Sequence, residues 1–87
     1  MVWKIEVSRE AKKQLAKVGP APAGRIAKGL RQIAQLGDPR ERGKALTGRL
    51  SGHWRYRFGD YRVVARIEDG RMVIVVLAIG HRREVYR

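Results

Sequence analysis

The sequence predicts an α+β fold: an N-terminal strand, an antiparallel two-helix hairpin, then a three-stranded antiparallel meander with a short C-terminal extension, the helices packed on one face of the sheet. Three observations predict it. Apolar residues alternate with period two at the N-terminus, two segments at helical spacing follow, and alternation returns from residue 53, punctuated by two turn signals. With 87 residues the chain is a single domain, 1–87, with a small core.

Each element has its own signal. From Val2 to Val7, Trp3, Ile5 and Val7 fall on one side and Lys4 and Glu6 on the other, which is a half-buried strand. Ser8 is placed to cap a helix running to about Val18, with Glu10 near its positive end and Ala11, Leu15 and Val18 as its apolar stripe. Gly19-Pro20 ends that helix. A second helix starts near Pro22, buries Ile26, Leu30, Ile33 and Ala34, and stops at Gly37-Asp38-Pro39. Arg40 to Gly52 reads as a polar connection.

In the strands the spacing is more specific. Trp54, Tyr56 and Phe58 alternate with His53, Arg55 and Arg57, and Gly59-Asp60 has the form of a two-residue hairpin turn. That register sets Phe58 opposite Tyr61, Arg57 opposite Arg62, Tyr56 opposite Val63 and His53 opposite Arg66. The aromatic residues then share a helix-facing side, where they read as core. His53, Arg55, Arg57, Arg62 and Arg66 share the other side. Asp69-Gly70 reads as a second hairpin turn into Arg71–Ile79, an almost continuous apolar run suited to a central strand. Simple alternation puts Val73, Val75, Leu77 and Ile79 on the arginine side. Two helices cover one face only, so an exposed apolar strip is expected beside the arginines, of the kind that marks a partner site.

The net charge of +12 and a pI near 11.3 favour polyanionic partners, nucleic acid first and an acidic protein second. Every lysine lies at or before Lys44, whereas the chain beyond Ser51 is basic through arginine alone. Arginine keeps its charge when crowded and grips phosphate with two N–H groups. Cysteine is absent and the two histidines are isolated, so no metal site or cofactor is expected. No apolar run is long enough for a membrane span and no signal peptide opens the chain, which reads as cytoplasmic.

Like charges opposed on a sheet are destabilising, so Arg57 facing Arg62 beside Arg55 is a cost that a scaffold would avoid. A plain solvated face of a basic protein is the bland alternative. Such a cluster can stabilise the added charge of a phosphorane-like transition state and ease proton loss from a nearby tyrosine. The C-terminal stretch supplies candidates: Tyr86 as a base and His81 as a group that titrates near neutrality. A packed terminal aromatic and a loop histidine after a glycine are the corresponding structural readings.

The string Leu50-Ser51-Gly52-His53-Trp54-Arg55-Tyr56-Arg57-Phe58-Gly59-Asp60-Tyr61-Arg62-Val63-Val64, with Ile79-Gly80-His81-Arg82-Arg83-Glu84-Val85-Tyr86, resembles the RelE group of the RelE/ParE toxin superfamily. The order of elements matches as well. The resemblance implies the toxin of a type II toxin–antitoxin system: an mRNA endonuclease acting in the ribosomal A site, without metal, by attack of the message's own 2′-hydroxyl to leave a cyclic phosphate. It also implies a cognate antitoxin. The family's basic residues on the second strand fall on Arg55 and Arg57, and the arginine opening the next strand on Arg62. A later basic residue falls on Arg82 or Arg83, with Arg82 on the side of Tyr86 by strand alternation, and the terminal aromatic is Tyr86.

Arg66, Arg83, Lys44 and Arg49 are expected as further RNA contacts, and Val73, Val75 and Leu77 as the antitoxin surface. Where this chain has Arg55 and Arg57 the best-known member has lysines. Arginine is a poorer proton carrier, which moves proton transfer toward Tyr86 and His81. A ParE-like DNA gyrase inhibitor of the same fold, or an inactive RNA-binding module, are the competing readings.

Overall fold

The computed structural model describes residues 2–81. In chain order the elements are β1 (Lys4–Val7), α1 (Arg9–Lys17), α2 (Pro20–Ala34), β2 (Lys44–Ala45), β3 (Trp54–Phe58), β4 (Tyr61–Glu68) and β5 (Val73–His81). Ser8 caps α1 as expected, its Oγ accepting from the Ala11 N–H at 3.1 Å. Gly19, at φ +91°, reverses the chain between the helices, and Pro20 opens α2 two residues before the expected Pro22. Both prolines fit in a first turn, where an N–H has no helical partner. Ile26, Leu30, Ile33 and Ala34 are buried as expected.

The sheet is larger than the expected three-stranded meander. It has five strands in the order β1-β5-β4-β3-β2, with β1 running parallel to β5 and the other pairs antiparallel. The N-terminal strand completes the sheet beside β5. The connection expected to be irregular contributes β2, too short for its alternation to be seen in sequence. It is continued by the Leu46 N–H donating to the His53 carbonyl at 3.0 Å.

The Gly59-Asp60 turn and its register are as expected: Phe58 opposes Tyr61, Arg57 opposes Arg62 and Tyr56 opposes Val63, with Gly59 at φ +61°. The second turn differs. Asp69–Arg71 forms one 3₁₀ turn, and Met72, not Gly70, takes the left-handed conformation.

A β-bulge corrects the face assignment on β5. Val64 opposes Ala78 but the next residue, Ala65, opposes Val76, so Leu77 is the extra residue. One extra residue inverts the alternation beyond it. Val73 and Val75 do share the arginine side, paired with Arg66, Glu68, Lys4 and Glu6. Ile79, expected beside them, is 2% exposed in the helix-side core opposite Val63, and Leu77 sits half-buried at the bulge.

The strip expected to stand open is closed as well. Val73 and Val75 are buried although no helix covers them. Arg71, just before β5, reaches Glu6 of β1 at 2.8 Å and Glu68 of β4, while Glu68 also holds Arg66 at 2.8 Å. These ion-paired side chains from both flanking strands lie as a roof on the same face as the two valines, where long stems can cover apolar surface and keep their charges in water. Arg66, then Arg71, hold the Glu68 carboxyl below its usual range. A carboxylate with a lowered native pKa contributes stability that is fully present above its unfolded value, about 4.3 for glutamate, and is lost as pH falls through the native value. The melting temperature should therefore fall more steeply below about pH 4.3 in the parent than in Glu68→Gln. Parallel melting-temperature profiles would show that the roof adds nothing by charge.

Candidate functional site

The β3–β4 hairpin and the end of β2 build one basic face. The register places Lys44 opposite Arg55 and Arg57 opposite Arg62, all on the side away from the helices. Tyr56 anchors the hairpin from the other side. It is 1% exposed, and its hydroxyl donates to the Pro39 carbonyl at 2.8 Å. Burial pushes its phenol up to about 12, which keeps it neutral and unsuited to proton transfer. Trp54 and Phe58 pack against the core as expected, and Arg40 lies over the Trp54 ring at 5.8 Å.

Arg62 is the unusual member. Among the described residues its Nε and Nη1 are enclosed with no hydrogen-bond partner. Leaving donors of this kind unmade inside a protein costs about 1–3 kcal/mol, more when charged. Across the ladder Arg62 faces Arg57 on one side and Gly80 on the other. A partly enclosed guanidinium with no partner on those two nitrogens among the described residues, opposite a second guanidinium, suits an anion.

Other expected residues are placed differently. Arg66 is on the same face but tied to Glu68. Arg49 is exposed in the 3₁₀ turn Gly48–Leu50, off the strands. His53 turns its Nδ1 to the Leu50 carbonyl at 3.1 Å, a loop contact. His81 opposes Tyr61, with ring centroids 5.9 Å apart edge to face, so the bulge sets it on the helix side of the sheet, away from Arg57 and Arg62. Arg82, Arg83 and Tyr86 lie outside the described residues. Among the described residues there is no group of three or more histidine, cysteine, aspartate or glutamate side chains that could hold a metal ion.

A second basic feature was not foreseen. A cleft of about 310 Å³ runs along β3 under α2, lined by Arg25, Lys28, Gly29, Gln32 and Ile33 of α2, by Arg42, and by Tyr56 to Gly59. The sequence signal was Arg25, Lys28 and Gln32 on the polar face of α2. Without the hairpin opposite, they read as an ordinary solvated face.

Comparison with known proteins agrees with this architecture. The family model described as the ParE toxin of type II toxin–antitoxin systems (parDE) matches residues 5–86. The toxin RelG of Mycobacterium tuberculosis (strain ATCC 25618 / H37Rv) is 32% identical over 91 residues, covering 100% of this chain and 99% of that protein. A chain of the toxin–antitoxin complex RelBE2 from Mycobacterium tuberculosis superposes with a TM-score of 0.86 at 25% identity, covering 97% of this chain and 95% of that one. The archaeal RelE–RelB complex from Pyrococcus horikoshii OT3 gives a TM-score of 0.74 at 25% identity, over 98% and 100% of the two chains. No helix among the described residues is long and apolar enough to cross a membrane.

Proposed function

This chain belongs to the RelE/ParE toxin superfamily of type II toxin–antitoxin systems, and from that membership we propose that it is a ribosome-dependent mRNA endonuclease working in the cytoplasm and held in check by a cognate antitoxin. The observation that carries the proposal is Arg62, whose Nε and Nη1 are enclosed with no partner among the described residues, opposite Arg57. A gyrase inhibitor has no use for a phosphate clamp; a nuclease does.

In the proposed reaction the 2′-hydroxyl of the message attacks the adjacent phosphate. A bond forms from O2′ to phosphorus, the bond to the leaving 5′ oxygen breaks, and a cyclic phosphate remains. Arg62 donates to the non-bridging oxygens, whose charge grows in the transition state, while Arg55 and Arg57 surround it and Lys44 steadies the strand. Arginine stays protonated, so the proton of the 2′-hydroxyl passes to Tyr86, which loses its own proton more readily near guanidinium groups. Arg82 completes the proposed cluster, with Arg83, Arg66 and Arg49 as outer RNA contacts. The leaving 5′ oxygen takes its proton from water, because the His81 ring packs against Tyr61 on the other side of the sheet. The antitoxin is proposed to cover the sheet near Val73, Val75 and Leu77, which requires it to displace or bind the Glu6–Arg71–Glu68 roof. The solved complexes of RelE with RelB give the partnership its precedent.

Primer extension on a reporter message after expression tests the reading, with cuts expected only on translated message. The name of the matching family favours one alternative, a ParE-like gyrase inhibitor. Intact message with supercoiling defects would establish that alternative instead. Tyr86→Phe is expected to lower cleavage by about 10²–10⁴-fold, the usual span for a lost general base, with folding and antitoxin capture retained. Undiminished cleavage in that variant would remove Tyr86 from the mechanism.

A further inference from the structure

The cleft beneath α2 is a second concentration of positive charge, separate from the strand face and meeting it at Arg57, a residue that lines the cleft while the register sets its side chain on the strand face. Arg25, Lys28 and Arg42 complete its rim, and among the described residues no carboxylate lines it. By contrast, Arg40, Arg66 and Arg71 each hold a carboxylate, Asp38, Asp69, Glu68 or Glu6. Glu41 and Asp60, though adjacent in sequence to lining residues, do not line the cleft. Arg25 and Lys28 are three apart on one helix face, where like charges repel. The repulsion is useful only when an anion arrives.

The backbone points the same way. In a two-residue hairpin the residues flanking the turn exchange both hydrogen bonds, so Phe58 bonds with Tyr61 and Arg57 turns its N–H away from β4. β2 pairs only with Trp54 and Arg55, which leaves that edge of β3 open beside the cleft. At the hairpin tip, the Arg25 Nη1 lies 3.6 Å from where a Cβ on Gly59 would be. The rim therefore offers guanidiniums, an ammonium and a main-chain N–H over a floor of Ile33 and Phe58.

We propose that this cleft is a second RNA-backbone site, holding phosphates that flank the one at Arg62, with Arg57 as the bridge between the two. The proposal rests on the nuclease reading for its RNA partner. The strand would cross from the basic face over the open edge of β3 and run beneath α2. The phosphates could come from the message or from ribosomal RNA.

The test uses the full chain and a labelled single-stranded oligoribonucleotide, with affinity measured by anisotropy over a range of salt. Arg25→Ala/Lys28→Ala should weaken binding by about tenfold or more and flatten the salt slope by about 1.4, since each phosphate contact on a single strand contributes about 0.7. Lys12→Ala/Lys17→Ala, which removes the same charge from the exposed side of α1, should change affinity less than about twofold. Equal losses from the two pairs would mean diffuse attraction and overturn the proposal. So would parent-like RNA affinity in the cleft variant together with lost binding of a polyglutamate peptide, which would make the cleft a site for an acidic protein. Co-sedimentation with ribosomes separates the sources: a loss seen only on message-programmed ribosomes supports the message, and an equal loss on empty ribosomes supports ribosomal RNA. Cleft-dependent oligonucleotide binding with intact cellular message would keep this site and sink the nuclease reading. Cut message with cleft variants that bind like the parent would do the reverse.

Discussion

Arg62→Ala is expected to end growth arrest and message cleavage while the protein melts at a higher temperature, not a lower one. The two effects have one origin. Among the described residues Nε and Nη1 of Arg62 are enclosed without partners, and Arg57 stands directly across the ladder. Removing the guanidinium relieves an unmade-donor cost of about 1–3 kcal/mol and a like-charge opposition of a few tenths. Against this stands the lost packing of the side-chain stem, about 0.8 kcal/mol per buried methylene on a residue only partly buried. The balance favours stability by about 1 kcal/mol, or roughly 4–8 °C for a domain this small. Cleavage should fall by about 10²–10³-fold, the usual loss when one donor to a developing oxyanion is removed. Arg62→Lys keeps the charge but not the planar fork, and should retain part of the activity. Wild-type cleavage in a folded Arg62→Ala protein would refute the site. A fall in melting temperature would show instead that the guanidinium helps to hold the sheet.

The arginine face was legible in sequence because its register depends on a turn of fixed length. Gly59-Asp60 allows one pairing, and period two then sorts Arg55, Arg57 and Arg62 from Tyr56 and Phe58. β5 could not be sorted in this way. A strand apolar on both faces has no alternation to read, so nothing in Val73–Ile79 announced that Leu77 is an extra residue. That single insertion carried Ile79 into the core and His81 to the far side of the sheet. The roof over Val73 and Val75 was hidden for another reason: Glu6 and Glu68 meet Arg71 only once β1 lies parallel beside β5. A pairing between the first and last strands leaves no local trace. The α2 cleft needed both a helix face and a hairpin edge, and sequence gave each alone the appearance of an ordinary polar surface.

Gly29→Ala and Gly24→Ala, two identical changes in the same helix, should move stability in opposite directions. Glycine inside a helix is less favourable than alanine by about 0.8–1.0 kcal/mol, so propensity alone predicts a gain at both. At Gly24 nothing lies within 4 Å of the added Cβ, and the gain of about 0.5–1 kcal/mol should appear in full. At Gly29 the same Cβ would stand 2.2 Å and 2.5 Å from ring atoms of Phe58. That ring cannot simply step aside, because Phe58 flanks the hairpin turn opposite Tyr61 and packs against the core. Overpacking of this kind costs about 1–3 kcal/mol, which at its midpoint exceeds the propensity gain and leaves a net loss of about 1 kcal/mol. For a domain of this size the two variants should melt on either side of the parent, Gly29→Ala lower by roughly 4–8 °C. Equal stabilisation at both positions would mean that Phe58 yields freely. The close approach of α2 to β3, which forms the floor of the cleft, would then not depend on Gly29.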